Sequence, residues 1–200
     1  IEQQSAGDSA ERRGRGGPLP DLTYEKHERY ALFTLNRPEQ LNALGGSLFQ
    51  ELDAALADFA ADPALRVGIL TGAGRGFCSG ADVGGQAEGL SRPPGQGSEQ
   101  RSTDAAFAES ILALGPHLPR LPQPVIAAIN GVAAGAGLSI ALASDIRIAS
   151  DQARFSSIFV KRSLVPDNGA SYFLPALAGA GVASEMALTG RIYDAQWALE

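Results

Sequence analysis

The chain has a single cysteine, Cys78, so it cannot close an internal disulfide, and its two histidines leave little material for a zinc site. No apolar run approaches the ~18 residues of a membrane span. The first twenty residues hold Arg, Glu, Gly and Pro without a hydrophobic stretch of the signal-peptide kind. These absences point to a metal-free, cytoplasmic protein with no membrane partner. Cations are also scarce: Lys and Arg number 16 against 22 Asp and Glu, the formal charge is −6, and the longest basic run is Arg12-Arg13. A nucleic-acid surface, which needs clustered cations to neutralise phosphate, is excluded. An anionic small ligand is not, because helix N-termini and a few arginines bind phosphate locally.

Aromatic residues make up only 6% of the chain, whereas glycine is abundant at 24 residues with no fixed short period. That balance implies close backbone packing and tight turns in a globular chain. The length of 200 residues suits one domain with a buried core. Residues 1–20 are polar and aperiodic and read as a disordered leader, leaving 21–200 as the folded unit.

Residues 23–27 and 30–35 alternate loosely and predict a strand hairpin, ended by Asn36-Arg37-Pro38. Ser47-Leu48-Phe49-Gln50 reads as a capping box opening a helix that lines Leu48, Leu52, Leu56 and Phe59 along one face and stops at Asp62-Pro63. Val67–Thr71 and Val125–Ile129 are short apolar runs of the buried parallel-strand type. Further expectations are a loop over 84–101, helices over 105–114, 138–143 and 181–189, a strand over 146–149, and a helix beginning near Asp194. Strands alternating with helices give an α/β fold with parallel pairing.

The strands at 67–71 and 125–129 each run into a glycine-rich turn, 72–82 and 130–137. Residues with little or no side chain let a ligand approach main-chain N–H groups, and a helix opening after the second turn adds an oriented dipole. Paired, the turns could form an oxyanion hole; alone, such glycines serve tight turns and packing. Two phosphate motifs are absent. Gly72 and Gly74 are followed by Phe77 where a dinucleotide fingerprint needs glycine, and Gly131–Gly137 is not followed by Lys-Ser/Thr. Nor is Ser139, in Gly137-Leu138-Ser139-Ile140-Ala141, a nucleophile elbow. Cys78 beside Phe77 reads as a small buried hydrophobe before it reads as a nucleophile served by His117.

Asn36-Arg37-Pro38-Glu39-Gln40-Leu41-Asn42-Ala43-Leu44, then Leu70-Thr71-Gly72 through Phe77-Cys78-Ser79-Gly80-Ala81-Asp82, then Pro124–Gly131 with Gly135-Ala136-Gly137, resemble the successive signatures of the crotonase superfamily, the enoyl-CoA hydratase/isomerase family. The resemblance implies a crotonase (ClpP-like) spiral of repeated β-β-α units, its C-terminal helical region absent or truncated here. It implies an acyl-CoA thioester ligand, with coenzyme A as part of the substrate and no separate cofactor or metal, and a homotrimer or hexamer. Position by position, Ala81 and Ala136 would supply the two oxyanion amides. Gln40, Leu41, Asn42, Ala43, Ser79, Gly80 and Asp82, with Gly135, Gly137 and Phe159, would line the substrate and CoA site.

Hydratases of the family use two glutamates, and this chain has Ser139 and Phe159 at the matching positions. Neither performs acid–base chemistry. Phe159 and Phe155 read as apolar core or pocket. Leu164–Ser171 resembles the segment in which crotonase-type isomerases, the ring 1,2-epoxyphenylacetyl-CoA isomerase among them, place a catalytic aspartate, and Asp167 occupies that place. Pro166-Asp167-Asn168-Gly169 is also ordinary turn chemistry. One carboxylate suffices for a 1,3 proton shift, so isomerisation through an enolate is the expected reaction. The alternatives are an unconventional hydratase and an inactive acyl-CoA-binding protein. The family's dehalogenases, with an aspartate nucleophile at this place, also need a histidine where this chain has Leu112.

Overall fold

The structure, a computed structural model, describes residues 20–82 and 114–200. The expected leader (but for Pro20), the loop over 84–101, the helix over 105–114 (but for Leu114) and Leu112 lie outside the described residues.

Strands β1 (Leu22–Lys26) and β2 (Tyr30–Leu35) form the expected antiparallel hairpin, one residue earlier at its start. Alternation along β2 buries Ala31, Phe33 and Leu35 completely, which is the period-two signature of a sheet covered on one face. Helix α1 (Leu48–Ala61) covers that face. Leu48, Leu52, Leu56 and Phe59 are buried as the periodicity predicts, and Phe49 and Ala55 join them. Phe59 meets Phe33 edge-on, ring centroids 5.6 Å apart.

The capping box does not form. Ser47 makes no side-chain cap bond; its hydroxyl goes instead to Glu51 Oε1 at 2.8 Å and to Asp21 Oδ2 at 3.1 Å. Glu51 Oε2 in turn accepts from the Leu22 amide at 2.7 Å. The helix start is tied to the first strand rather than to its own amides, because Asp21, distant in sequence, competes for the same hydroxyl.

After the hairpin the chain winds as a spiral in which each turn contributes one strand to each of two sheets. Strands β3 (Val67–Gly72), β5 (Val125–Ile129) and β7 (Ile146–Ala149) extend the first sheet in the order β1-β2-β3-β5-β7, parallel beyond the hairpin. Strands β4 (Gly76–Cys78), β6 (Val132–Ala134) and β8 (Arg154–Ser156) build a second, also parallel, which β9 (Tyr193–Asp194) closes antiparallel. The second strand of each β-β-α unit follows from the resemblance but not from local pattern: all four strands of this sheet are two or three residues long, and β4 and β6 lie inside the segments read as glycine turns. Three residues carry no period, so only pairing across the sheet defines them. Cys78, Ala133, Phe155 and Tyr193 fall on one cross-strand line and are all buried.

Helix α2 (Ala136–Ala143) follows β6 and is apolar nearly all round, with only Leu142 reaching partial exposure, as suits a helix inside the core. Helix α3 spans Ala170–Thr189 and breaks at Gly179, whose φ of 81° and ψ of 161° are not helical. The expected helix over 181–189 is its second half. The first half was missed because Pro175 and Gly179 read as breakers, and packing on α2 overrides that propensity. Helix α4 (Ala195–Leu199) is capped by Asp194, which accepts from the Trp197 amide at 2.9 Å. Among the described residues, no helix is long and apolar enough to cross a membrane.

Phe59→Ala should lower unfolding free energy by about 3–5 kcal/mol in denaturant titration, since the ring is fully buried. Gly181, by contrast, has open space around it, and Gly181→Ala should raise stability by up to about 1 kcal/mol in the same titration.

Candidate active site

Two asparagines, Asn42 fully buried and Asn130 partly so, brace the first glycine turn from behind. Asn42 donates to the Ala73 and Gly76 carbonyls at 3.0 and 2.8 Å, and Asn130 donates to the Gly74 carbonyl at 2.9 Å while accepting from the Gly72 amide. Beyond β4 the chain pairs with residues 41–44. Leu44 N–H donates to the Gly80 carbonyl at 2.8 Å, and Asp82 N–H to the Leu44 carbonyl at 3.0 Å, a parallel bridge between Leu44 and Ala81. In such a bridge the residue between the bonded groups turns its own N–H to the opposite edge. The Ala81 amide therefore faces away from the Leu44 segment, and it meets no carbonyl among the described residues. Arg37 locks this arrangement: its guanidinium donates to the Ala43 carbonyl at 2.6 Å and pairs with Asp82 at 3.0 Å, on a side chain only 14% exposed.

The second turn packs against the first with no side chain between. At Gly80, where φ is +104°, an added Cβ would stand 3.0 Å from the Ala134 carbonyl oxygen and 3.4 Å from Ala136 N. At Gly137 it would stand 2.1 Å from the Cys78 carbonyl oxygen. Ala136 is the first residue of α2, so its amide belongs to the group that has no intrahelical acceptor, at the positive end of the helix dipole. The Gly80-Ala81 and Gly135-Ala136 peptides thus come together, and the Ala136 amide, like that of Ala81, meets no carbonyl among the described residues.

Asp167 reaches this region through α2. Ser139, wholly buried one turn along the helix from Ala136, donates to the Asp167 carbonyl at 3.1 Å. Asn168 Oδ1 accepts from the Gly115 amide at 2.6 Å, anchoring the next residue. The Asp167 Oδ1 atom is shut from solvent and finds no donor among the described residues. Burial pushes its carboxyl above the ordinary aspartate range, opposed by its own backbone amide. Asp167 and Asn168 do form a turn, with Asn168 at φ 49° and Gly169 at φ 86° leading into α3, as the Pro-Asp-Asn-Gly run predicts.

Gln40, Ala43, Ser79, Ala81 and Asp82 line one cleft of about 440 Å³, joined by Ile158, Arg154 and Arg162. The other expected contacts sit behind its wall. Asn42 is fully buried with its amide spent on the first turn, while Leu41 packs against Gly76. Gly80, Gly135 and Gly137 contribute main chain at the junction of the turns, and Phe159 is buried beneath Gly135. Cys78 is fully buried, and burial pushes its thiol up to about 12, the Gly80 amide pulling the other way. His117 faces Asp53 of α1 at 3.9 Å instead. A larger cleft of about 710 Å³ between α2, α3 and α4 is walled by Leu138, Leu174, Leu177 and Trp197 and holds charge only in Arg147 and Asp151. Ala81 lines only the smaller of these two clefts, and neither Asp167 nor Ala136 is in the wall of either.

Arg37, Arg154 and Arg162 were not anticipated as site residues. Arg37 stands inside the quoted Asn36-Arg37-Pro38 signature, but its partner lies 45 residues away. The two cleft arginines carry no local signal in the sequence.

The enoyl-CoA hydratase/isomerase family model matches residues 25–200. The chain is 40% identical over 167 residues to the 1,2-epoxyphenylacetyl-CoA isomerase of Escherichia coli, covering 84% of this chain and 62% of that protein. It is 44% identical over 172 residues to a probable enoyl-CoA hydratase of Mycobacterium leprae, covering 83% and 56%. It thus spans about three fifths of the length of the curated relatives it matches. Among solved structures, an enoyl-CoA hydratase of Bacillus anthracis superposes with a TM-score of 0.79 at 35% identity over 90% of this chain and 66% of that one. A putative enoyl-CoA hydratase of Streptomyces coelicolor gives 0.79 at 36% over 95% and 68%. The family match contains both glycine turns and Asp167, and the two-sheet spiral is that of the solved relatives: the chain belongs to the enoyl-CoA hydratase/isomerase, or crotonase, family.

Proposed function

We propose that the site isomerises an unsaturated acyl-CoA thioester, with Asp167 as both base and acid and the Ala81 and Ala136 amides holding the thioester oxygen. Asp167 takes a proton from C2 of a 3-enoyl thioester, and the electron pair moves onto the carbonyl oxygen. Two N–H donors stabilise the resulting dienolate, such donors being worth about 3–4 kcal/mol each. The carboxylic acid then returns the proton to C4, giving the 2-enoyl thioester and restoring the carboxylate. Coenzyme A enters as part of the substrate, and Arg154 and Arg162 on the cleft wall offer cations to its phosphates.

The observation that carries this reading is the buried Oδ1 of Asp167, which meets no donor among the described residues, together with the lack of a titratable group at Ser139 and Phe159. Hydration needs one group to activate water and another to protonate the α-carbon, whereas Ser139 is a buried hydroxyl engaged with carbonyls and Phe159 is hydrocarbon. The likeness to an isomerase at 40% identity supports the same choice. A hydratase remains the second reading, favoured by relatives named probable enoyl-CoA hydratase. A homotrimer or hexamer belongs to the proposal, supported by the exposed apolar Ile146 and Ile148 on the edge strand β7.

Incubation with 2-enoyl-, 3-enoyl- and saturated acyl-CoA should show double-bond migration and α-proton exchange without appreciable hydration. Rapid hydration would overturn the isomerase reading, and binding without exchange would identify an inactive acyl-CoA-binding protein. Ala136→Pro removes the amide at a helix position that tolerates proline, and should lower kcat by about 10²–10³-fold, while Ala136→Gly leaves it within a few-fold. Equal rates for the two variants would remove that amide from the mechanism.

Burial disfavours the charged form of Asp167, so its folded pKa lies above its unfolded one. The proton it holds adds stability in full below the unfolded value of about 4, and that contribution is lost as pH rises through the folded value. Asp167→Asn should therefore abolish isomerisation yet unfold at a higher temperature than the parent at neutral pH, the gap closing toward pH of about 4. Identical melting temperatures across that window would mean the carboxylate is well solvated.

A further inference from the structure

We infer that Ser139 is a positioning residue that fixes the Asp167 carboxyl relative to the oxyanion amides, a role that rests on Asp167 being the proton carrier. Its hydroxyl lies 3.1 Å from the Asp167 carbonyl oxygen and 3.2 Å from the Gly135 carbonyl oxygen. One hydroxyl proton serves both acceptors, so a single fully buried group links the peptide that leads into Ala136 to the backbone that carries the carboxylate. No charged side chain makes that link among the described residues.

The geometry makes the bond decisive for the carboxylate and dispensable for the helix. Ser139 N–H already donates to the Gly135 carbonyl at 3.0 Å, so α2 keeps its first hydrogen bond without the hydroxyl. The Asp167 carbonyl also accepts from the Ala170 amide at 2.8 Å, and Asn168 Oδ1 holds Gly115 N–H. Those two bonds secure the segment to α3 and to the Gly115 peptide, but neither reaches α2, where the oxyanion turn begins. Among the described residues, only the Ser139 hydroxyl hydrogen-bonds across the two halves of the proposed site. A base that takes a proton from one carbon and returns it to another must hold its place between both steps, or the proton is lost to water.

The comparison residue is Ser144, at the other end of the same helix. It is also buried and donates to a carbonyl four residues back, Ile140 at 3.0 Å, but it has no bond to the Asp167 segment. Ser139→Ala, Ser139→Cys, Ser144→Ala and Asp167→Asn are assayed on 3-hexenoyl-CoA in D₂O, following kcat, KM, solvent deuterium gained per turnover and thermal unfolding. Ser139→Ala should lose about 10–100-fold in kcat with KM unchanged, and should take up more deuterium per turnover than the parent. Ser139→Cys, nearly isosteric with a weak S–H donor, should fall between and keeps the test readable if the alanine variant folds poorly. Ser144→Ala should lose thermal stability without either change. If Ser139→Ala matches Ser144→Ala in kcat and deuterium uptake while Asp167→Asn is inactive, the positioning role is overturned and the proton carrier stands. If Asp167→Asn turns over like the parent, the proton carrier itself is wrong and the positioning role falls with it.

Discussion

Between Gly80 and the Ala134–Ala136 peptides there is no room for a side chain, and the arrangement of the site follows from that contact. Main chain packed on main chain brings into one neighbourhood two amides that meet no carbonyl among the described residues, which side-chain donors could do only at the cost of ordering rotamers. The contact needs both sheets. The first sheet fixes where β3 and β5 end, and the second, through the Cys78, Ala133 and Phe155 line, clamps the turns that follow them. Shortening either set of strands would let the turns drift apart.

Polar groups around the turns are spent on holding backbone. Asn42, Asn130 and Arg37 donate to carbonyls around the first turn, Ser139 donates to the Asp167 carbonyl, and Asn168 Oδ1 accepts from the Gly115 amide. A buried polar group without a partner costs about 1–3 kcal/mol, so each of these bonds makes alternative backbone paths expensive. Four buried side-chain atoms escape that pairing among the described residues, the neighbouring Asn168 Nδ2 included, and one of them is the Asp167 Oδ1. Its raised proton affinity follows from the same burial.

Ser139 changes character between sequence and structure. Read along the family's pattern it is a missing acid, a reason to doubt one reaction. In the fold its hydroxyl spans two carbonyls from segments far apart in sequence, Gly135 and Asp167. The small hydroxyl reaches both backbones from one buried position, and the turn before α3 brings the Asp167 backbone to it.

Periodicity and glycine placement sufficed for the elements that bury a regular face. The hairpin, α1 with its Leu48–Phe59 stripe, β3 and β5 were legible because their patterns run over five residues or more, β7 was legible as the four-residue run Ile146–Ala149 although it is exposed, and the motif order was enough for the family. The second sheet, the use of Ser47 toward Asp21 and Glu51, and the first half of α3 were not legible. Each depends on partners distant in the chain, whose approach no local spacing encodes. Of the candidate site, the sequence alone nominated Ala81, Ala136 and Asp167. Tertiary structure decided that Asn42 and Phe159 stand behind the cleft, that Arg37 grips Asp82, and that Ser139 holds Asp167, because hydrogen bonds between separate segments exist only once the spiral has closed.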